Sequence, residues 1–279
     1  MTEPHTVAPD YAGGGIVNLM ASLAEMFRAP QVACPVLRSE FGVRTHAPAV
    51  VLMVVDGLGD AMLHAHAPNG ALMAHRRGAL TSVFPSTTAS AITTFLTGLA
   101  PAQHAMTGWH IHLRAIDRSV AMLPFIVRGS QTSPVELGLP HARAFDSTPF
   151  ANRIAAQCHV VSPARIVDSP FNAAHGGRAQ RHRYDLLSEA FALTERCVRQ
   201  AQGPCFVYTY WPEVDSIAHE RGDRRGRVHS TLPGFMMPWG SSSALKLRIS
   251  SNAVLSLTSG SSSRLSTPMP CSAEIEPPM

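Results

Sequence analysis

The segment Ala49–Asp56, AVVLMVVD, constrains the fold more than any other. Seven consecutive apolar residues, four of them valine, end on an acid followed by Gly57. A β-branched run without alternation reads as a strand buried on both faces, as in a parallel sheet. It cannot be a membrane span. Even counted from Ala47, the run is interrupted by Pro48 and reaches about half of the roughly 20 residues a bilayer needs.

Other segments alternate around this strand. Ile16 to Arg28 places Ile16, Leu19, Met20, Leu23, Met26 and Phe27 at helical spacing. Residues 79–84 read as a short strand. Thr88 to Thr97 reads as a helix that Ser86 or Thr87 can cap, with Gly98 at its end and Pro101 blocking continuation. Cys158 to Val161 is strand-like, Tyr184 to Ala201 is an amphipathic helix, and Cys205 to Tyr210 is again strand-like. Strands alternating with helices predict an α/β fold with a mostly parallel sheet flanked by helices.

At 279 residues and 45% hydrophobic, the chain can bury a substantial core and is not wholly disordered. The net charge of +4 invites a nucleic-acid reading, but six basic and three acidic side chains follow Gly222, so most of that charge is local to the end of the chain. The body has no basic patch interleaved with aromatics, and a nucleic-acid polymer is not an expected partner. Five cysteines, Cys34, Cys158, Cys197, Cys205 and Cys271, are odd in number and form no CxxC. They fit a reducing cytoplasm, and the N-terminus lacks the basic and apolar regions of a secretory signal.

Three regions follow from texture. Residues 1–15 read as a flexible leader joined through Gly13-Gly14-Gly15, and residues 16–222 as the folded domain. Residues 223–279 hold 13 serines and no convincing alternation of elements, and read as a low-complexity, disordered tail. We expect that this tail replaces lost or frameshifted coding sequence, with a natural tail as the alternative.

Three segments carry the chemistry. The buried strand ends at Asp56. FPSTTASAITTFLTGLAP, residues 84–101, gathers hydroxyls at a helix start. WPEVDSIAH follows the last clear strand, with Asp215 and His219 four residues apart. Ligands of open α/β sheets bind beyond the carboxyl ends of the strands. A helix start attracts anions, so Thr87 and Thr88 sit where a phosphate would be drawn. Residues four apart on a helix project together, so Asp215 and His219 can hold one divalent ion. His110 and His112 share one face of a strand, either as a chelating pair or as a polar face lining the cleft.

These segments resemble the type I phosphodiesterase and nucleotide pyrophosphatase family of the alkaline phosphatase superfamily. The matching motifs are VVDG at Val54–Gly57, FPSTT with TGLAP within Phe84–Pro101, and DxxxH at Asp215–His219, and the resemblance spans about residues 48–222. It implies an alkaline-phosphatase-like core whose C-terminal part is missing. It implies a threonine nucleophile at Thr88 and two divalent metal ions, expected to be zinc, with Asp56, Thr88, Asp215 and His219 as ligands. Substrate contacts are expected at Thr87, Ala89, His110 and His112. The expected substrate is a small phosphate ester or nucleotide, cleaved at a phosphodiester or pyrophosphate bond through a phospho-threonine that water hydrolyses.

The chain also departs from the family pattern. The resemblance implies a downstream Asp-His pair and a further histidine as metal ligands. No Asp-His dipeptide occurs in the sequence, and His229 is the one histidine after His219. Some family members carry an asparagine three residues after the nucleophile, where this chain has Ala91. The alternatives are therefore a non-catalytic remnant and a phosphomonoesterase or mutase of the same superfamily. An incomplete sheet would leave an edge strand open and favour self-association.

Overall fold

The computed structural model describes residues 7–30, 34–43, 46–221 and 253–258. Its centre is an all-parallel sheet in the order β6-β5-β7-β1-β8. Here β1 is Ala49–Asp56, β5 Gln157–Pro163, β6 Gln180–Tyr184, β7 Cys205–Trp211 and β8 Ala253–Thr258. A second, antiparallel sheet holds β2 (His110–Leu113), β3 (Arg118–Ala121) and β4 (Ile126–Val127). The helices are α1 (Ile16–Met26), α2 (Asp60–His66), α3 (Ala71–Ala74), α4 (Thr88–Thr97), α5 (Pro101–His104), α6 (His141–Ala144), α7 (Phe150–Arg153), α8 (Pro170–Gly176), α9 (Leu187–Gln200) and α10 (Glu213–Arg221).

The unbroken apolar run of β1 is explained by burial on two sides. Val50, Leu52 and Val54 join Phe206, Tyr208 and Tyr210 of β7 in one cluster with residues of α1 and α4. Met53 and Val55 join Trp211 and Val214 in a second, against Met62 of α2 and Leu187 and Phe191 of α9. A third cluster packs Val161, Tyr184, Cys205 and Val207 against Ala190 and Cys197 of α9. The predicted α/β class with a parallel sheet flanked by helices is therefore the observed one.

Two expected elements differ. Residues 79–84 form no strand beyond a single bridge between Thr81 and Gly15. The Thr81 backbone is bonded on both sides to the leader, through Thr81 N–H to Gly14 O at 2.9 Å and Ile16 N–H to Thr81 O at 3.0 Å, which keeps it out of the sheet. The helix expected from Tyr184 begins at Leu187. Tyr184 instead closes β6, where its buried hydroxyl donates to the Tyr210 carbonyl at 2.7 Å.

Residues 1–6 of the expected leader lie outside the described residues, whereas Gly13, Gly14 and Gly15 are buried. Of the expected tail, only Ala253–Thr258 is described; it pairs with Val51–Asp56 of β1. No helix among the described residues is long and apolar enough to cross a membrane.

Candidate active site at the strand ends

Two adjacent strands deliver the first two acidic groups. Strands β1 and β7 are paired through Val55 and Trp211, so Asp56 is the last residue of β1 and Glu213 opens α10 just past the neighbouring strand end. Asp215 falls in the first turn of α10.

Gly57 lets the two approach. Its φ is +79°, a region that favours glycine, and a Cβ placed on it would stand 2.6 Å from both the Asp215 Cα and backbone N. The residue after Asp56 therefore packs directly on the backbone of Asp215.

The Asp56 carboxylate is held in place. It is only 4% exposed. Oδ1 accepts from Gly57 N–H at 3.1 Å and Oδ2 from the Tyr210 hydroxyl at 2.8 Å. Burial and the nearby Asp56 charge hold the Tyr210 phenol well above its ordinary range, so it remains a donor.

Asp215 and His219 meet one helical turn apart, with His219 Nε2 3.5 Å from Asp215 Oδ2. The His219 side chain is 81% exposed and faces open space. Carboxylate and imidazole are donors suited to a divalent ion such as zinc, and Asp215 and His219 lie close enough to share one, whereas among the described residues Asp56 belongs to no group of three ligand atoms within 4.8 Å of one another.

Helix α4 carries the hydroxyls singled out from the sequence. Thr87 is its cap: Oγ1 accepts from Ser90 N–H at 3.3 Å and lies 3.1 Å from Ser90 Oγ. Further along, Thr93 donates to Ala89 O at 2.7 Å, Thr94 pairs with His104 at 3.2 Å and Thr97 donates to Thr93 O at 2.7 Å. Thr88, the first helical residue, is half-buried, and its hydroxyl carries no hydrogen bond among the described residues. Ala89 is fully buried, and its side chain is a core methyl.

His110 and His112 stand elsewhere, on the exposed face of β2 in the antiparallel sheet. His112 Nε2 lies 3.4 Å from Asp117 Oδ1. The structure thus sets Gly57, the residue after Asp56, on the backbone of Asp215, pairs Asp215 with His219, and places His110 and His112 on a different sheet.

Sequence reasoning missed Tyr210, although its signal was present: β7 residues 206, 208 and 210 alternate onto one face, and the last of them reaches the tip of β1. It also missed Arg165, which follows β5 and lies 4.0 Å from Glu213. Burial raises the Glu213 carboxyl above its ordinary range.

Comparison with known proteins shows the family of the chain. A family model described as type I phosphodiesterase / nucleotide pyrophosphatase matches residues 50–234, about two thirds of the chain. Among curated proteins, none matches the chain significantly. The matched span holds β1, α4, β7 and α10 together, and the chain belongs to the type I phosphodiesterase / nucleotide pyrophosphatase family, whose members are metal-dependent hydrolases of small phosphoesters and nucleotides.

Proposed function

We propose that this chain cleaves a phosphodiester or nucleotide pyrophosphate bond with Thr88 as nucleophile. The observation that carries this reading is the seating of Gly57, the residue after Asp56, on the backbone of Asp215, with His219 one turn beyond. Asp56, Thr88, Asp215 and His219 would hold divalent metal, zinc being the ion best suited to these donors. Bound metal would stabilise a threonine alkoxide and the negative charge on the phosphoryl oxygens.

The remaining contributions come from side chains and backbone. Thr88 Oγ attacks phosphorus as the bond to the leaving alcohol or nucleotide breaks, and water then cleaves the phospho-threonine and restores the hydroxyl. In the first turn of α4 the Ser90 N–H is taken by Thr87 Oγ1, so an anion at this helix start would draw on the N–H groups before it, with Thr87 and the Ala89 backbone closest to Thr88 in sequence. Tyr210 and the Gly57 N–H fix the Asp56 carboxylate. His110 and His112 remain candidates for contact with a longer leaving group.

Thr88 is preferred over Thr87 because the Thr87 hydroxyl is used in capping. A cytoplasmic location belongs to this reading, supported by the thiols of Cys158, Cys197 and Cys205, none of them in a disulfide. Hydrolysis of bis-p-nitrophenyl phosphate with added zinc tests it. Wild type turns over and Thr88→Ala does not; equal rates refute the nucleophile. A panel of monoesters against diesters separates this activity from that of a phosphomonoesterase.

A second reading is favoured by one sequence observation, the lack of any Asp-His dipeptide. On that reading the chain is a non-catalytic relative holding a single ion through Asp215 and His219. Turnover distinguishes them: hydrolysis of a phosphodiester with added zinc that is lost in Asp56→Asn eliminates the second reading.

A further inference from the structure

Three side chains with no role at the strand ends converge further back along the sheet. His159 lies on β5, His182 on β6 and Cys197 in the last turn of α9. His159 Nδ1 is 3.1 Å from His182 Nε2, and Cys197 Sγ is 3.4 Å from the same nitrogen. One ligand atom from each residue lies within 4.8 Å of the others.

We propose that His159, His182 and Cys197 form a zinc-type site, distinct from the Asp56–Asp215 centre, that clamps β5, β6 and α9 together.

The spacing suits the ion. Zinc–nitrogen and zinc–sulfur bonds of about 2.0 and 2.3 Å place tetrahedral ligands roughly 3.3–3.6 Å apart. The two separations, 3.1 and 3.4 Å, lie within a few tenths of an ångström of that range. Small rotations of two imidazoles and a thiol would open the site, with no backbone change. The chain contributes three ligands, leaving the fourth position for water.

Position in the fold separates this site from the other. His159 is level with Val207 of β7, whereas the strand-end centre lies beyond Trp211. Four residues of strand correspond to roughly 13 Å along the sheet.

Electrostatics act in both directions. Burial pushes the His159 and His182 imidazoles down, which keeps them neutral and able to ligate. Cys197 is buried, and burial raises its thiol. Ligation would therefore expel one proton from sulfur. The neighbouring Arg196 charge disfavours a cation, as its downward effect on His182 shows. The carbonyl end of α9 opposes it, because a helix C-terminus favours positive charge. Without an ion the three groups form a hydrogen-bonded cluster, which is the competing explanation.

Cobalt titration of the full-length chain under reducing conditions separates the two. A cobalt–thiolate bond gives a near-ultraviolet charge-transfer band that oxygen and nitrogen donors cannot produce. We expect one such band at one cobalt per chain, retained when Asp56 and Asp215 are both replaced by Asn and lost in Cys197→Ser. His182→Gln should weaken binding by more than the roughly 10–100-fold that loss of a supporting residue costs. Absence of the band at saturating cobalt, or its persistence in Cys197→Ser, overturns the proposal. Wild type supplies a check independent of variant folding. Zinc at ten times its dissociation constant should slow alkylation of Cys197 about tenfold, read by peptide mass mapping. An unchanged rate overturns the site.

Discussion

Gly57 is the residue on which the strand-end geometry turns. Its positive φ and its contact with the Asp215 backbone allow no Cβ without displacing α10 or the tip of β1. Gly57→Ala should lower turnover of bis-p-nitrophenyl phosphate by at least about tenfold, equivalent to 1.4 kcal/mol of transition-state stabilisation. A variant with wild-type turnover would show that the close packing of Gly57 on Asp215 is irrelevant to the chemistry. The glycine stood in the sequence as part of VVDG, but the close approach behind it could not be read there, because Asp215 is 158 positions away. The same holds for His159, His182 and Cys197, which no motif links and which meet only through strand register and the packing of α9.

At the scale of elements, α4 joins stability to chemistry through neighbouring hydroxyls. Thr87→Ala removes the cap and should cost about 1 kcal/mol in a denaturant titration. Thr88→Ala removes a hydroxyl without a hydrogen bond among the described residues and should shift stability by less than about 0.5 kcal/mol. Reversal of that order would contradict the assignment of cap and nucleophile.

The next element, α5, ends at His104, which is 6% exposed and whose pKa is pushed down to about 4, first by burial and then by nearby His175. Its Nδ1 accepts from Met106 N–H at 3.0 Å, so in the folded state Nε2 carries the proton and donates to Thr94 Oγ1. The unfolded chain takes up a proton near pH 6.5 and the folded chain only near 4. Stability is therefore full above pH 6.5 and falls as pH drops toward 4, by on the order of 3 kcal/mol. Urea midpoints across that range should show the fall, and His104→Asn should reduce it. An equal fall in the variant would assign it to other groups.

Elements with strong periodicity were legible: β1, α1, α4, α9 and β7 lie within a few residues of their expected bounds. Short elements were not, because four residues hold too little pattern, as in α5, α6 and α7. Strand β6, QRHRY, escaped because an edge strand can be charged and exposed, so its sequence does not resemble that of the buried strands.

At the scale of the whole molecule, the two outer strands of the parallel sheet differ. Strand β6 carries Arg181 and Arg183, both bonded to Asp168, and charged edges oppose strand-to-strand pairing. Strand β8 has the uncharged sequence AVLSLT and lies on the outer side of β1. Self-association is therefore expected on the β8 side. Light scattering should show a species larger than a monomer, and a monodisperse monomer would contradict it.

The account as a whole depends on Thr88 exchanging a bond with phosphorus. Acid quenching of the zinc-supplemented chain during turnover of a phosphodiester, followed by peptide mass mapping, measures this most directly. The prediction is a phosphoryl-bearing adduct on the peptide containing Thr88, located to that residue by fragmentation and absent from Thr88→Ala. Turnover with no adduct, or an adduct located on Thr87, would contradict it.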